Sequence, residues 1–270
     1  MSMTSYPSHL QCSRKLASKK GASSWLTALP LQHHGFAIHK GAFRDALALR
    51  YGWALERLPS QCICGKPFNT DHALNCSTSG FSTACHNEVR DLLTSLLTEV
   101  CSDVAVEPAL QPITGETFQR RSTSTDNGAR LDIRVRGFRG SWSESAFLDV
   151  RIFNHTPSCA ANYHRHEKAK ELVRGTDQGG EACHIHPLVF TTSGGGSPLT
   201  RTFLKHLASR LVKTRDKAYS TTIGWLWAWL SFSLLRSAVM CIQGSQSSVG
   251  SMSVLLTSLL WSPDFRWSKS

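Results

Sequence analysis

Two stretches decide the fold: Ala129-Arg-Leu-Asp-Ile-Arg-Val-Arg136 and Ala146-Phe-Leu-Asp-Val-Arg-Ile-Phe153. In the first, Leu131, Ile133 and Val135 alternate with Arg130, Asp132, Arg134 and Arg136. That period of two is the pattern of a strand with one buried face. The second is rich in β-formers and built for burial, except that Asp149 stands in its middle. Gly137–Ser143 supplies a turn between them. Upstream, Val104–Val106 reads as a short strand ending at Glu107-Pro108. Before it, Val89, Leu92, Leu93, Leu96, Leu97 and Val100 repeat at helical spacing across His86–Cys101.

Downstream, Ala160–Arg174 reads as a helix, His186–Thr192 as a strand, Ser193–Pro198 as a Gly-rich break and Thr200–Lys217 as a further helix. The polar stretch Gln111–Asn127 reads as a loop. The order of elements predicts an α/β protein whose mixed sheet combines antiparallel and parallel pairs. Six units follow along the chain: a flexible start (1–22), a helical linker (23–60), a cysteine-rich knot (61–84), the α/β core (85–220), an apolar helix (221–244) and a loosely packed tail (245–270). In the linker, Phe43, Ala46, Leu47, Arg50 and Tyr51 suggest a helix with one apolar face.

The chain has 270 residues, enough for one large domain or two small ones, and carries a net charge of +11. That balance excludes an acidic solvating protein and favours a polyanionic partner. The charge is segregated. Residues 1–60 hold 8 basic and 2 acidic side chains, residues 61–180 hold 13 and 14, and residues 181–270 hold 9 and 3. Met1–Lys20 lacks the apolar core of a signal peptide, so the nine cysteines are expected to stay reduced and metal ligation is the better use for some of them. Thr222–Leu235 is the most apolar segment, but its 14 residues before Arg236 fall short of the roughly 20 that span a bilayer. A core helix is expected there, and no membrane partner.

Cys62, Cys64, His72 and Cys76 follow the spacing C-x-C-x7-H-x4-C. Three thiolates and an imidazole complete a tetrahedral zinc shell with no open position, so the expected role is structural. Cys12, Cys101, Cys159, Cys183 and Cys241 read as core or surface thiols, and Cys85 falls outside the spacing. The alternative is three unrelated buried cysteines beside a satisfied histidine.

Asp149 in a buried strand is costly unless a charge or a metal compensates it. Pairing of the two strands as a hairpin would bring Asp132 and Asp149 together, and two carboxylates are the hard oxygen ligands magnesium prefers. Such an ion can activate water against a phosphodiester. Arg151 shares a face with Asp149 but is a poor proton acceptor. The next helix offers Lys170, with Lys168 in reserve, to orient the water. Simple ion pairs with Arg130, Arg134 or Arg151 are the competing explanation.

Taken together, the C-x-C-x7-H-x4-C knot, the His86-Asn87 pair opening a helix, Leu131-Asp132 and Asp149-Val-Arg151 resemble the restriction-like endonuclease region of non-LTR retrotransposon proteins, part of the PD-(D/E)xK nuclease superfamily. Phe43–Trp53, with Leu58-Pro59 after it, is similar to the linker ahead of the family's knuckle. The likeness spans about residues 22–244. It implies a restriction-endonuclease-like α-β-β-β-α-β core, with Asp132 and Asp149 on catalytic magnesium, Lys170 on the water and Arg151 in the place of the strand lysine. It also implies a nickase acting on nuclear DNA, giving a 3′ hydroxyl to a reverse transcriptase, with element RNA as a further partner. No Tyr-x-Asp-Asp motif occurs in these residues, so the polymerase is expected elsewhere. Two positions depart from the family. Cys85 stands where a basic residue is usual, and Leu131 where proline is. The alternative is a zinc-containing nucleic-acid-binding module without catalysis, or a decayed retroelement fragment.

Overall fold

The structure, a computed structural model, describes residues 17–29, 36–56, 58–76, 78, 81–108, 131–138, 145–153 and 184–244. The expected flexible start up to residue 16, the Gln111–Asn127 loop, the Ala160–Arg174 helix with Lys168 and Lys170, the 245–270 tail, Cys12, Cys159 and Cys183 lie outside the described residues. The elements are α1 (Ser24–Thr27), α2 (Lys40–Tyr51), α3 (Thr70–Asn75), α4 (Phe81–Thr98), β1 (Asp103–Val106), β2 (Ile133–Arg136), β3 (Ser145–Phe153), β4 (His184–Thr191), α5 (Pro198–Arg215) and α6 (Tyr219–Gly244).

The four strands form one sheet in the order β1-β2-β3-β4. β1 pairs with β2 and β2 with β3 antiparallel, whereas β3 and β4 run parallel. The fold is therefore α/β with a mixed sheet. Alternation sorts the side chains into two faces. Ile133, Val135, Ala146, Leu148, Val150, Leu188 and Phe190 join Val89, Leu93, Leu96 and Leu97 of α4, and Leu204, Leu207 and Leu211 of α5, in one core. Leu131, Phe147 and Ile185 form a separate cluster on the other face. Pro187, which cannot donate to a ladder, is accommodated on β4 at the end of this sheet.

α6 is the spine of the helical side. It runs 26 residues, close to the 221–244 helix expected, and Arg236 does not end it. The Arg236 guanidinium donates to the Ala37 carbonyl at 3.0 Å and lies over the Phe232 ring. With those partners a charge is tolerated inside the helix. Most of this helix is buried in the protein, although its length and composition would suffice to cross a membrane.

The linker helix α2 forms as expected, with Ala46 and Leu47 packed on the core, but its aromatic residues depart from expectation. Its buried residues are Ala42, Ala46 and Ala48, while Phe43 and Tyr51 are 42% and 41% exposed. α2 packs against α6, held by Gln243 donating to Asp45 at 2.8 Å. Small side chains permit that approach, so the alanines face inward and the aromatic stripe faces out.

Two glycines let the chain pass under α6. Gly21 has φ +94°, and a Cβ there would lie 2.2 Å from Trp227 Cε3. Gly194 has φ +89°, and its Cβ would meet Ser231 Cβ at 2.9 Å and Ser231 Cα at 3.1 Å. Gly194→Ala combines a left-handed backbone with overpacking against another helix, so it should destabilise the fold by about 2–4 kcal/mol. Urea unfolding would measure it, and a change within 0.5 kcal/mol would refute the packing argument.

Candidate metal centre and sheet aspartates

The knuckle is built by local rules. Gln61 and Pro67 form an isolated antiparallel bridge, and the Gly65 N–H closes a turn onto the Cys62 carbonyl at 2.8 Å. Gly65 takes φ +80°, which glycine adopts without steric cost. The turn brings Cys62 and Cys64 to one side. Asn69 caps α3 by accepting from the His72 N–H at 2.7 Å, and this short helix presents His72, with Cys76 following at its C-cap.

The four ligand atoms lie within 4.8 Å of one another. Cys62 Sγ and Cys76 Sγ are 3.7 Å apart, against the ~3.8 Å that tetrahedral zinc with 2.3 Å Zn–S bonds requires. Cys64 Sγ and His72 Nε2 are 3.1 Å apart, slightly closer than an ion between them would hold them. Cys62 and Cys76 are buried. Burial pushes the Cys62 thiol above its ordinary pKa, and a backbone N–H at Cys64 pulls it partly back. A cation in the shell would reverse that balance by binding the thiolate. This Cys3His cluster could hold a metal such as zinc.

The knuckle docks through Leu74, which packs beside Cys85, Met240 and Cys241. Cys85 on α4 and Cys241 on α6 approach to 3.5 Å between their sulfurs. Sequence reading treated these cysteines as unrelated. They are 156 positions apart, so no local spacing could have joined them. Burial also raises Cys101, which lies near Arg210.

On the sheet, the β2–β3 register pairs Ile133 with Leu148. Asp132 immediately precedes Ile133 and Asp149 immediately follows Leu148, so the two acids flank the same end of the β2–β3 ladder. Asp132 is fixed on both sides. Its carbonyl accepts from the Glu107 N–H at 2.9 Å, and its Oδ2 accepts from the Val150 N–H at 2.5 Å. Asp149 is 6% exposed. Arg151 projects from the same face of β3 and is exposed. Arg134, expected as a possible partner of these acids, instead donates to Asp103 at 2.8 Å.

One residue outside the expected set joins this site. His86, near the start of α4, places Nε2 at 3.2 Å from Asp132 Oδ2 and 3.3 Å from the Val150 carbonyl. The His86-Asn87 pair was visible in the sequence as a motif, but nothing local linked it to Asp132.

Behind this site, α4 and α6 share a buried carboxylate. Glu88 accepts from the Ser233 and Ser237 hydroxyls, each at 3.0 Å. Burial raises its pKa, against the two hydroxyl bonds and nearby Arg236. An acid raised on folding adds stability that is fully present below its unfolded pKa and is lost as pH rises through the folded value. Glu88→Gln cannot ionise, so its thermal midpoint should gain on the wild type as pH rises from 4.5 towards 8. A difference that stays constant over that range would contradict the assignment. No family model and no curated protein matches the chain.

Proposed function

We propose that this chain is a magnesium-dependent DNA endonuclease module, one that nicks target DNA and leaves a 3′ hydroxyl for a reverse transcriptase to extend. The fold we assign is the restriction-endonuclease-like core of non-LTR retrotransposon proteins, with a zinc knuckle ahead of it. The order α4-β1-β2-β3 followed by a parallel β4 supports that assignment. The observation that carries the activity is the presence of Asp132 and Asp149 at one end of the β2–β3 ladder, one of them buried and the other braced by His86.

Asp132 and Asp149 would hold the magnesium, as carboxylates suited to a hard cation. Bound there, the ion would supply Lewis-acid polarisation of the phosphodiester and a more acidic water. His86 and the Val150 N–H keep the Asp132 carboxylate in one orientation. The exposed Arg151 is suited to a phosphate oxygen. Lys170, with Lys168 as the reserve, would orient the attacking water.

A second reading, a zinc-containing nucleic-acid-binding module without catalysis, is favoured by one observation. Cys85, standing where the family carries a basic residue, is buried against Cys241 rather than offered to a phosphate. Supercoiled plasmid with purified protein and magnesium separates the two. The nuclease converts it to the nicked form, and the binding module shifts its mobility without cutting.

A further inference from the structure

We infer that the outward ridge of α5 is a contact surface for the phosphate backbone of duplex DNA, separate from Asp132 and Asp149; this rests on the nucleic-acid reading above. Arg201, Lys205, Ser209, Lys213 and Lys217 recur every four residues along α5 and just beyond its end. Residues four apart form one ridge on a helix, each step rising about 6 Å. The opposite face carries Phe203, Leu204, Leu207, Ala208 and Leu211 and is buried. The ridge is therefore held rigidly outward. Lys205, Ser209, Lys213 and Lys217 are exposed and Arg201 is half-exposed.

The charge pattern is one-sided. α5 contains no acidic residue between Pro198 and Arg215. A merely solvated helix face commonly mixes signs and gains from pairs four apart, which this one forgoes. The cations that do have protein partners lie off the ridge. Arg210 donates to the Phe138 and Val100 carbonyls, and Arg215 pairs with Glu99. Among the described residues, none of the four ridge cations is in an ion pair. Asp216 caps the helix in a left-handed conformation at the end of the ridge. A linear row of unpaired cations on a rigid scaffold is complementary to a linear polyanion, and binding there would release condensed counterions.

The test is fluorescence anisotropy of a labelled 30-base-pair duplex over a salt series without magnesium. Lys205→Gln/Lys213→Gln should weaken binding by about 10-fold near 0.15 M salt and reduce the log–log salt slope by about 2. Ser95→Glu/Thr98→Glu, on the exposed side of α4, lowers net charge equally and should change affinity less than 2-fold. Equal losses in the two double variants would mean that only net charge matters, and would overturn the ridge. So would an unchanged slope in the lysine variant, or loss of binding to phosphatidylserine vesicles with duplex binding intact. Wild-type plasmid nicking alongside an unchanged slope would defeat the ridge and leave the nuclease reading standing. Absence of any duplex binding by the wild type would defeat both.

Discussion

Asp149→Asn should lower magnesium-dependent nicking of supercoiled plasmid by about 10³-fold, and Asp132→Asn should come close to it. Asparagine keeps the shape and a hydrogen-bonding oxygen but removes the charge that a divalent cation needs. At position 132 it can still accept from the Val150 N–H, so the loss would report on the metal rather than on the strand pairing. If both carboxylates serve one ion, the double variant should be no worse than the more damaging single one, because the first loss already empties the site. Independent ion pairs would instead give additive, smaller effects. Duplex binding without magnesium should survive in all three variants. Wild-type nicking no faster than that of Asp149→Asn would end the nuclease reading and leave the binding module.

How much of this was legible in the sequence depends on whether the signal was local. β2 and β3 could be read because alternation needs only the strand itself, and their antiparallel pairing followed from a short connection. The knuckle could be read because its ligands sit within fifteen positions. α2 was read only in part: Ala46 and Leu47 do pack on the core, but the helix's orientation is set by α6, nearly two hundred positions away. Phe43 and Tyr51 look like core residues until the close approach to α6 selects alanines instead. α6 could be read as a helix running past Arg236, although the groups that compensate this charge, the Ala37 carbonyl and Glu88, meet it only in space. His86 stood beside its motif partner in plain view, and only the packing of α4 on the sheet brings it to Asp132.

Zinc should be present at about one ion per chain, and Cys62→Ser/Cys76→Ser should bring it close to zero, measured by elemental analysis after purification with added zinc. The more informative consequence concerns cooperativity. The main core draws on α1, α2, α4, the sheet, α5 and α6, and includes no residue from Cys62–Cys76. The knuckle reaches the rest of the protein through the small cluster around Leu74, Cys85, Met240 and Cys241. Structural zinc in isolated fingers contributes on the order of 10–16 kcal/mol of apparent binding energy, so losing it should melt the knuckle outright. The sheet and its helices do not depend on that energy. The variant should therefore keep most of its far-ultraviolet circular dichroism and its cooperative thermal transition. It should gain rapid proteolytic cleavage within residues 58–78, which the zinc-bound wild type resists. Loss of the whole transition on removing zinc would show instead that Leu74 and the buried thiol pair couple the knuckle to the core. Zinc retained by the double variant would refute the ligand set itself.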